Sequence, residues 1–207
     1  MLVVGGIAFA TYLSGGVDTG NRKTPAFFDW SFGIGGIIQY AVILAIVLWI
    51  AFGLRWRDTF ALRRPTSIPR AIGLTLATYA VVFLALGLLS LVVSPQKEQK
   101  LLPTHWVHGH VAPFVLSVIA VAVVAPIVEE LTFRGLGFHL LERYGRSAAI
   151  GGVGVAFGVW HGIPALLPVM IPFGAGLAYL RDRTDSVYPG IVAHALFNAV
   201  NVIGAVV

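Results

Sequence analysis

The sequence predicts an all-α polytopic membrane protein, a bundle of about six to seven transmembrane helices. Of its 207 residues, 57% are hydrophobic and only 11% are charged, and the mean hydropathy is +0.87. A soluble domain carries about 25% charged residues, because its surface must face water. Several apolar segments also reach the roughly 20 residues that a helix needs to cross a bilayer. Both observations point to lipid as the main solvent of this chain.

The apolar segments follow one another with short polar loops between them. The first, at 1–13, is short, and it is either a marginal span, a signal-like segment or the remnant of a longer helix. A helix predicted at 111–144 continues past two adjacent glutamates and keeps them near its middle. The other predicted segments are 30–54, 71–93, 147–160, 164–180 and 187–206. We divide the chain into N-terminal helices and loops at 1–110 and a four-helix core at 111–207.

The basic residues indicate topology rather than a nucleic-acid partner. Most of the 14 lysines and arginines lie in three short loops, at 55–70, 134–146 and 181–185. Such loops face the cytoplasm in multi-pass proteins, so a multi-pass protein of the cell membrane is expected, with the lipid bilayer as its surroundings. The chain has no cysteine, which excludes disulfides and thiol chemistry.

Two carboxylates follow an uncharged run at 111–128, where an ionisable group is costly and usually faces a bundle interior. Glu129 and Glu130 are neighbours on a helix, so their side chains diverge by about 100° and cannot enter one site. Glu130 and Arg134 are four residues apart with the acid first, the favourable order for an ion pair. Glu129 is then the free carboxylate. An interfacial acid–base cluster remains the alternative.

Two later segments carry the other conspicuous polar groups. Phe157 and His161 are four residues apart, so an aromatic ring flanks the imidazole, although a lone histidine at a helix end is often only interfacial. His194, Asn198 and Asn201 share one helix face, either as hydrogen bonds between helices or as donors aimed at one point. Glycines four apart, at 154, 158 and 162, predict that the helix bearing His161 packs closely on a neighbour.

Together these segments resemble the CAAX-processing and bacteriocin-processing (CPBP, or Abi) family of intramembrane endopeptidases, of the CAAX prenyl protease 2 type. That family is marked by E-E-x-x-x-R, F-x-x-x-H and H-x-x-x-N/D on successive helices. Here the motifs are EELTFR at 129–134, FGVWH at 157–161 and HALFN at 194–198. The resemblance covers about residues 111–204, and each motif alone is weak while the ordered triplet is specific.

The resemblance implies an intramembrane protease that hydrolyses a peptide bond in a membrane-associated or prenylated peptide. By position, Glu129 activates a water and His161 helps to position it. His194 and Asn198 stabilise the oxyanion that develops on the scissile carbonyl. Glu130, Arg134 and Phe157 are supporting residues, and residues 111–207 are the catalytic core.

Three alternatives stay open. Glu129, His161 and His194 are also the ligand set of a catalytic zinc site, but the chain has no H-E-x-x-H, so a metal-free mechanism without a cofactor is favoured. A non-catalytic immunity or scaffold protein is the second alternative, against which the intact motifs argue. A small transporter is the third, although no internal repeat supports it. The histidines of THWVHGH, at 105, 108 and 110, are interpreted as a solvated loop rather than a metal patch.

Overall fold

A computed structural model of the chain describes residues 25–92, 103 and 105–206, and six long helices account for most of them. The segment at 1–13 lies outside the described residues. The helices are α1 (Trp30–Ile50), α2 (Ile68–Ser90), α3 (Val111–Tyr144), α4 (Arg146–Trp160), α5 (Leu167–Thr184) and α6 (Tyr188–Gly204). A one-turn helix, Trp56–Thr59, lies in the loop between α1 and α2.

Four of the described helices are long and apolar enough to cross a membrane. They are α1, α2, α3 and the segment Pro164–Thr184, which is α5 with the short turn before it. Helix α4 has 15 residues and a length of about 22 Å, less than the roughly 30 Å of a bilayer core. The all-α polytopic class is confirmed, with four candidate membrane spans in the described part of the chain.

Local capping explains where the first two spans begin. Asp29 precedes α1, and its carboxylate accepts a hydrogen bond from the backbone N–H of Ser31 at 2.8 Å. Ser67 caps α2 in the same way, accepting from the N–H of Arg70 at 3.3 Å. A capped start satisfies backbone groups that the helix leaves unpaired. Helix α2 therefore begins at Ile68, three residues before the apolar run that predicted it.

Helix α3 is continuous but not uniform, and its irregular turns surround the glutamates. Its α-helical stretch Ala125–Glu130 lies between two wider, π-helical stretches, Ala120–Val124 and Leu131–Gly137. Such π turns are rare in proteins, and those that occur are often found at functional sites. The prediction that Glu129 and Glu130 lie inside a long helix is confirmed.

The buried core lies between α5 and its neighbours α2, α3 and α4. Phe157 and Phe173 are at most 1% exposed and belong to one apolar cluster, which also takes in Val82 of α2. Helix α1 packs along α3 instead, with Tyr40 against Ala125 and Val128. The outward faces are also apolar, as expected of surfaces that contact lipid, for example Ile38, Val42, Leu84 and Val200.

The close approach of α4 and α5 depends on a glycine and gives the first testable prediction. A Cβ built on Gly154 lies 2.9 Å from the backbone nitrogen of Ala175, whereas one on Gly151 of the same helix meets nothing within 4 Å. Gly154→Ala is expected to destabilise the fold by about 1–3 kcal/mol, as overpacking does. Gly151→Ala is the matched control and is expected to be neutral or stabilising, because alanine is the better helix former.

Thermal unfolding of both variants in the same detergent measures the difference. The expected result is a lower unfolding midpoint for Gly154→Ala only. Equal midpoints for the two variants would show that α4 and α5 do not pack through Gly154.

Candidate functional site

The three sequence motifs meet inside the helix bundle. Glu129 of α3, His161 at the end of α4 and His194 of α6 are 3%, 5% and 1% exposed. Asn198 lies one turn after His194 and is partly buried. Residues from three separate helices thus form one enclosed polar cluster within an apolar bundle, where electrostatic interactions are stronger than in water.

Glu129 is held on one side and faces a histidine on the other. Its Oε1 accepts a hydrogen bond from the phenol of Tyr40 at 2.5 Å. Its Oε2 lies 3.7 Å from Nε2 of His194. That distance is too long for a direct hydrogen bond, but a water molecule to one side of the line that joins Oε2 and Nε2 can hydrogen-bond to both atoms.

Glu130 points away from Glu129 and anchors the cluster. Its Oε1 accepts from the Arg134 guanidinium at 2.7 Å and lies 3.1 Å from Nδ1 of His194. Glu130 and Arg134 are both fully buried. The predicted ion pair is confirmed, and it also fixes the ring of His194, since a carboxylate receives the Nδ1–H.

Arg134 reaches beyond its partner to a neighbouring helix. A second guanidinium nitrogen donates to the backbone carbonyl of Gly174 on α5 at 2.8 Å. The guanidinium carbon also lies 4.4 Å from the centre of the Phe157 ring, within range of a cation–π interaction. Arg134 therefore ties α3 to α4 and α5, and the motif arginine has a structural explanation.

His161 is oriented by its own helix end. Its Nδ1 is 2.7 Å from the carbonyl of Phe157, and because a carbonyl only accepts, Nδ1 carries the proton and donates. In the neutral ring Nε2 then has a free lone pair. Phe157 lies between the two imidazoles, with ring centres 4.5 Å from His161 and 5.5 Å from His194. The phenylalanine of the second motif therefore packs against both imidazole rings.

Asn198 contacts α3 rather than another member of the motifs. Its side-chain nitrogen donates to the carbonyl of Val121 at 3.0 Å, inside the first π-helical stretch, so it pairs a carbonyl of an irregular turn. The amide nitrogen has a second N–H, and an oxyanion role for Asn198 stays a prediction. Asn201 is exposed and donates to Phe197 of its own helix, so it does not join the cluster.

Two contacts in the site were missed by sequence reasoning. One is Tyr40, whose only signal is a tyrosine in the middle of an apolar span, where its hydroxyl needs a partner. The other is Gly190 of α6: a Cβ there would lie 2.7 Å from Oε2 of Glu130. The spacing of residues along the sequence does not predict either contact, because each joins segments that are far apart in the chain.

The described residues do not gather a metal-binding group. In His161 and His194 the Nδ1 atom is anchored by a hydrogen bond, which leaves Nε2 available, as in many metal ligands. However, within ranges 25–92 and 105–206 no three His, Asp or Glu side chains lie close enough together to hold one ion. This includes the histidines at 105, 108 and 110. The arrangement does not fit a three-ligand zinc site, and we derive no step through a metal.

Comparison with known proteins finds a family similarity for the segment that carries this cluster. Residues 110–200 match the model of a family described as Rce1-like, type II CAAX prenyl endopeptidase. This segment contains all three motifs, and the match confirms the family resemblance that they predict. No curated protein and no solved structure matches the chain.

Proposed function

We propose, from the place of residues 110–200 in the Rce1-like family of type II CAAX prenyl endopeptidases, that this integral membrane protein cleaves a peptide bond by a glutamate-activated water. The observation that supports the mechanism best is the arrangement of Glu129 and His194. The Oε2 and Nε2 atoms lie 3.7 Å apart in an enclosed site, and a water that bonds to both from one side has an acceptor for its proton.

The chemistry follows from these groups. Glu129 takes a proton from the water as the water oxygen bonds to the scissile carbonyl carbon. The carbonyl oxygen gains negative charge, which donors from His194 and Asn198 stabilise. The C–N bond then breaks as the proton passes from Glu129 to the leaving nitrogen, and the products are a carboxylic acid and an amine, which ionise to a carboxylate and an ammonium ion. General-base assistance of this kind contributes about 10²–10⁴-fold, and each oxyanion donor about 2.7–4 kcal/mol.

The two histidines have different parts in this scheme. His161 is neutral with its proton on Nδ1, so Nε2 accepts a hydrogen bond from the water and helps to orient it. His194 donates its Nδ1–H to Glu130 and is oriented by that bond. When His194 is protonated, Nε2–H also donates and serves the oxyanion. Glu130 and Arg134 hold the ring in place and do not touch the substrate.

The substrate is a membrane-associated peptide, with a prenylated C-terminal peptide as the first one to test. The enclosed site lies among apolar helices, so a peptide that is anchored in lipid reaches it without leaving the bilayer. The cell membrane is the proposed location, since the arginine-rich loops give the chain a cytoplasmic side.

Hydrolysis by the purified protein in liposomes tests the proposal. The substrates are one peptide sequence with and without a prenyl group on its cysteine, and an unrelated transmembrane peptide as a control. Products are identified by mass spectrometry in ¹⁸O-labelled water, with and without a strong chelator, for the wild type and for Glu129→Ala. The expected result is one ¹⁸O in the new carboxylate, no effect of the chelator and no product from Glu129→Ala.

Other outcomes assign the protein differently. Loss of hydrolysis with the chelator and recovery with zinc would favour metal catalysis and contradict the metal-free mechanism. Absence of hydrolysis of every peptide, with unchanged biological activity in Glu129→Ala, would leave a membrane scaffold or immunity protein.

A further inference from the structure

Among the described residues, the closest contact to the Glu129 carboxylate comes from outside the segment that matches the family. Tyr40 of α1 is 1% exposed, and its phenol donates to Oε1 of Glu129 at 2.5 Å. The two residues are 89 positions apart, and the family match begins only at residue 110. A polar group of the N-terminal half thus touches the group on which the proposed chemistry depends.

The packing of α1 on α3 sets the position of Tyr40. A Cβ on Gly33 would lie 2.8 Å from Cγ of Leu116, and one on Gly36 would lie 3.5 Å from Cβ of Ala120. Residues 33, 36 and 40 lie on one face of a helix, three and four positions apart. The two glycines let the backbones of α1 and α3 approach closely. Tyr40, about one turn after Gly36, therefore packs against α3 beside Ala125 and Val128.

The bond from Tyr40 decides which carboxylate oxygen faces the site. A carboxylate has two equivalent oxygens and turns about a soft torsion. With Oε1 held by the phenol, Oε2 is the oxygen that lies 3.7 Å from Nε2 of His194. Hydrogen bonds to ionised acceptors are the strong ones, and this bond lies in a buried site. The orientation is therefore fixed before a substrate arrives.

We propose that Tyr40 is a positioning residue of the protease, and that the active unit includes α1 as well as the segment 110–200. This inference rests on the proposed function. Tyr40 does not contact the water in this scheme; it holds Glu129 so that the water-binding oxygen points to His194. A preoriented base is effective because misplacement by about 1 Å costs up to 10²-fold in rate.

A second tyrosine provides a matched control for the experiment. Tyr79 of α2 also donates a phenol hydrogen bond of 2.5 Å, but to the backbone carbonyl of Ala193 on α6. Tyr40→Phe and Tyr79→Phe each remove one hydroxyl, keep the ring and break a hydrogen bond between an N-terminal helix and the later helices. Only Tyr40→Phe alters a contact to the Glu129 carboxylate. Both are measured for kcat, KM and thermal unfolding beside the wild type and Glu129→Gln.

For Tyr40→Phe we expect kcat to fall at least about tenfold with KM changed by less than about twofold, the size of one lost hydrogen bond to a charged group. Tyr79→Phe is expected to keep kcat within about twofold, although its unfolding midpoint falls as much as that of Tyr40→Phe. If Tyr40→Phe lowers kcat without changing KM, and Tyr79→Phe is equally destabilised but keeps its kcat, then Tyr40 positions Glu129. A general loss of stability would lower kcat in both variants.

Two results overturn the inference, and they differ from a failure of the proposed function. Wild-type kcat in Tyr40→Phe, with Glu129→Gln inactive, shows that Glu129 needs no orientation by the phenol. Equal losses of kcat in the two phenylalanine variants, in step with their midpoints, show a purely structural role. Full activity in Glu129→Gln refutes the glutamate mechanism itself, and the role of Tyr40 fails with it.

Discussion

Glu129→Gln is expected to abolish peptide hydrolysis and leave the fold intact. The amide has nearly the shape of the carboxylate, and its oxygen can still accept the hydrogen bond from Tyr40. Its nitrogen, however, cannot take a proton from water. Losing the general base lowers the rate by about 10²–10⁴-fold. Oε2 of Glu129 lies 3.7 Å from Nε2 of His194, too far for a direct hydrogen bond, and a neutral amide is less costly to bury than a carboxylate, so we expect little loss of stability.

The measurement compares kcat of the variant and the wild type in liposomes, together with the thermal unfolding midpoint of each. A midpoint within a few degrees of the wild type, about the shift that 1 kcal/mol gives, shows that the lost rate reflects chemistry. Hydrolysis above one tenth of the wild-type rate would contradict a base at this position. A large fall in the midpoint would instead place Glu129 among the residues that hold the bundle together.

Much of the fold was predictable from the sequence because lipid imposes simple rules. Apolar runs of 20 or more residues must be helices, since backbone groups in hydrocarbon have to be paired within the segment. The spacing of Glu130 and Arg134 predicted their ion pair, and the glycines of α4 predicted its close packing on a neighbour. These are local patterns, in which the partner or the face is set by helical geometry alone.

The rest of the site depends on which helices become neighbours. The bond between Tyr40 and Glu129, and that between Asn198 and Val121, join segments 89 and 77 residues apart. No periodicity relates such positions in a single sequence. The sequence reasoning placed Asn198 with His194 on one helix face, but it gave no means to find the carbonyl of Val121. Likewise the π-helical stretches arise from how α3 fits its neighbours, for which the residue types give no clear signal.

Arg134→Met is expected to destabilise the protein by about 3–5 kcal/mol, the usual cost of removing one partner from a buried ion pair. The change leaves the Glu130 carboxyl group fully buried beside His194 without its cationic partner. It also removes the donor to the Gly174 carbonyl and the cation over the Phe157 ring. Three helices lose a common attachment. The unfolding midpoint and the yield of folded protein in detergent measure the effect.

A double-mutant cycle separates the lost pair from lost packing. Glu130→Gln alone leaves the Arg134 cation without its carboxylate and is expected to cost a similar amount. The variant with both Glu130→Gln and Arg134→Met has no buried charge at this point, so its destabilisation is expected to be smaller than the sum of the two single changes by about 1–3 kcal/mol. Glutamine still accepts the Nδ1–H of His194, so the ring keeps its orientation. Strictly additive losses would show that Glu130 and Arg134 stabilise the bundle independently. That result would contradict the interpretation of these two residues as an ion pair that stabilises the fold.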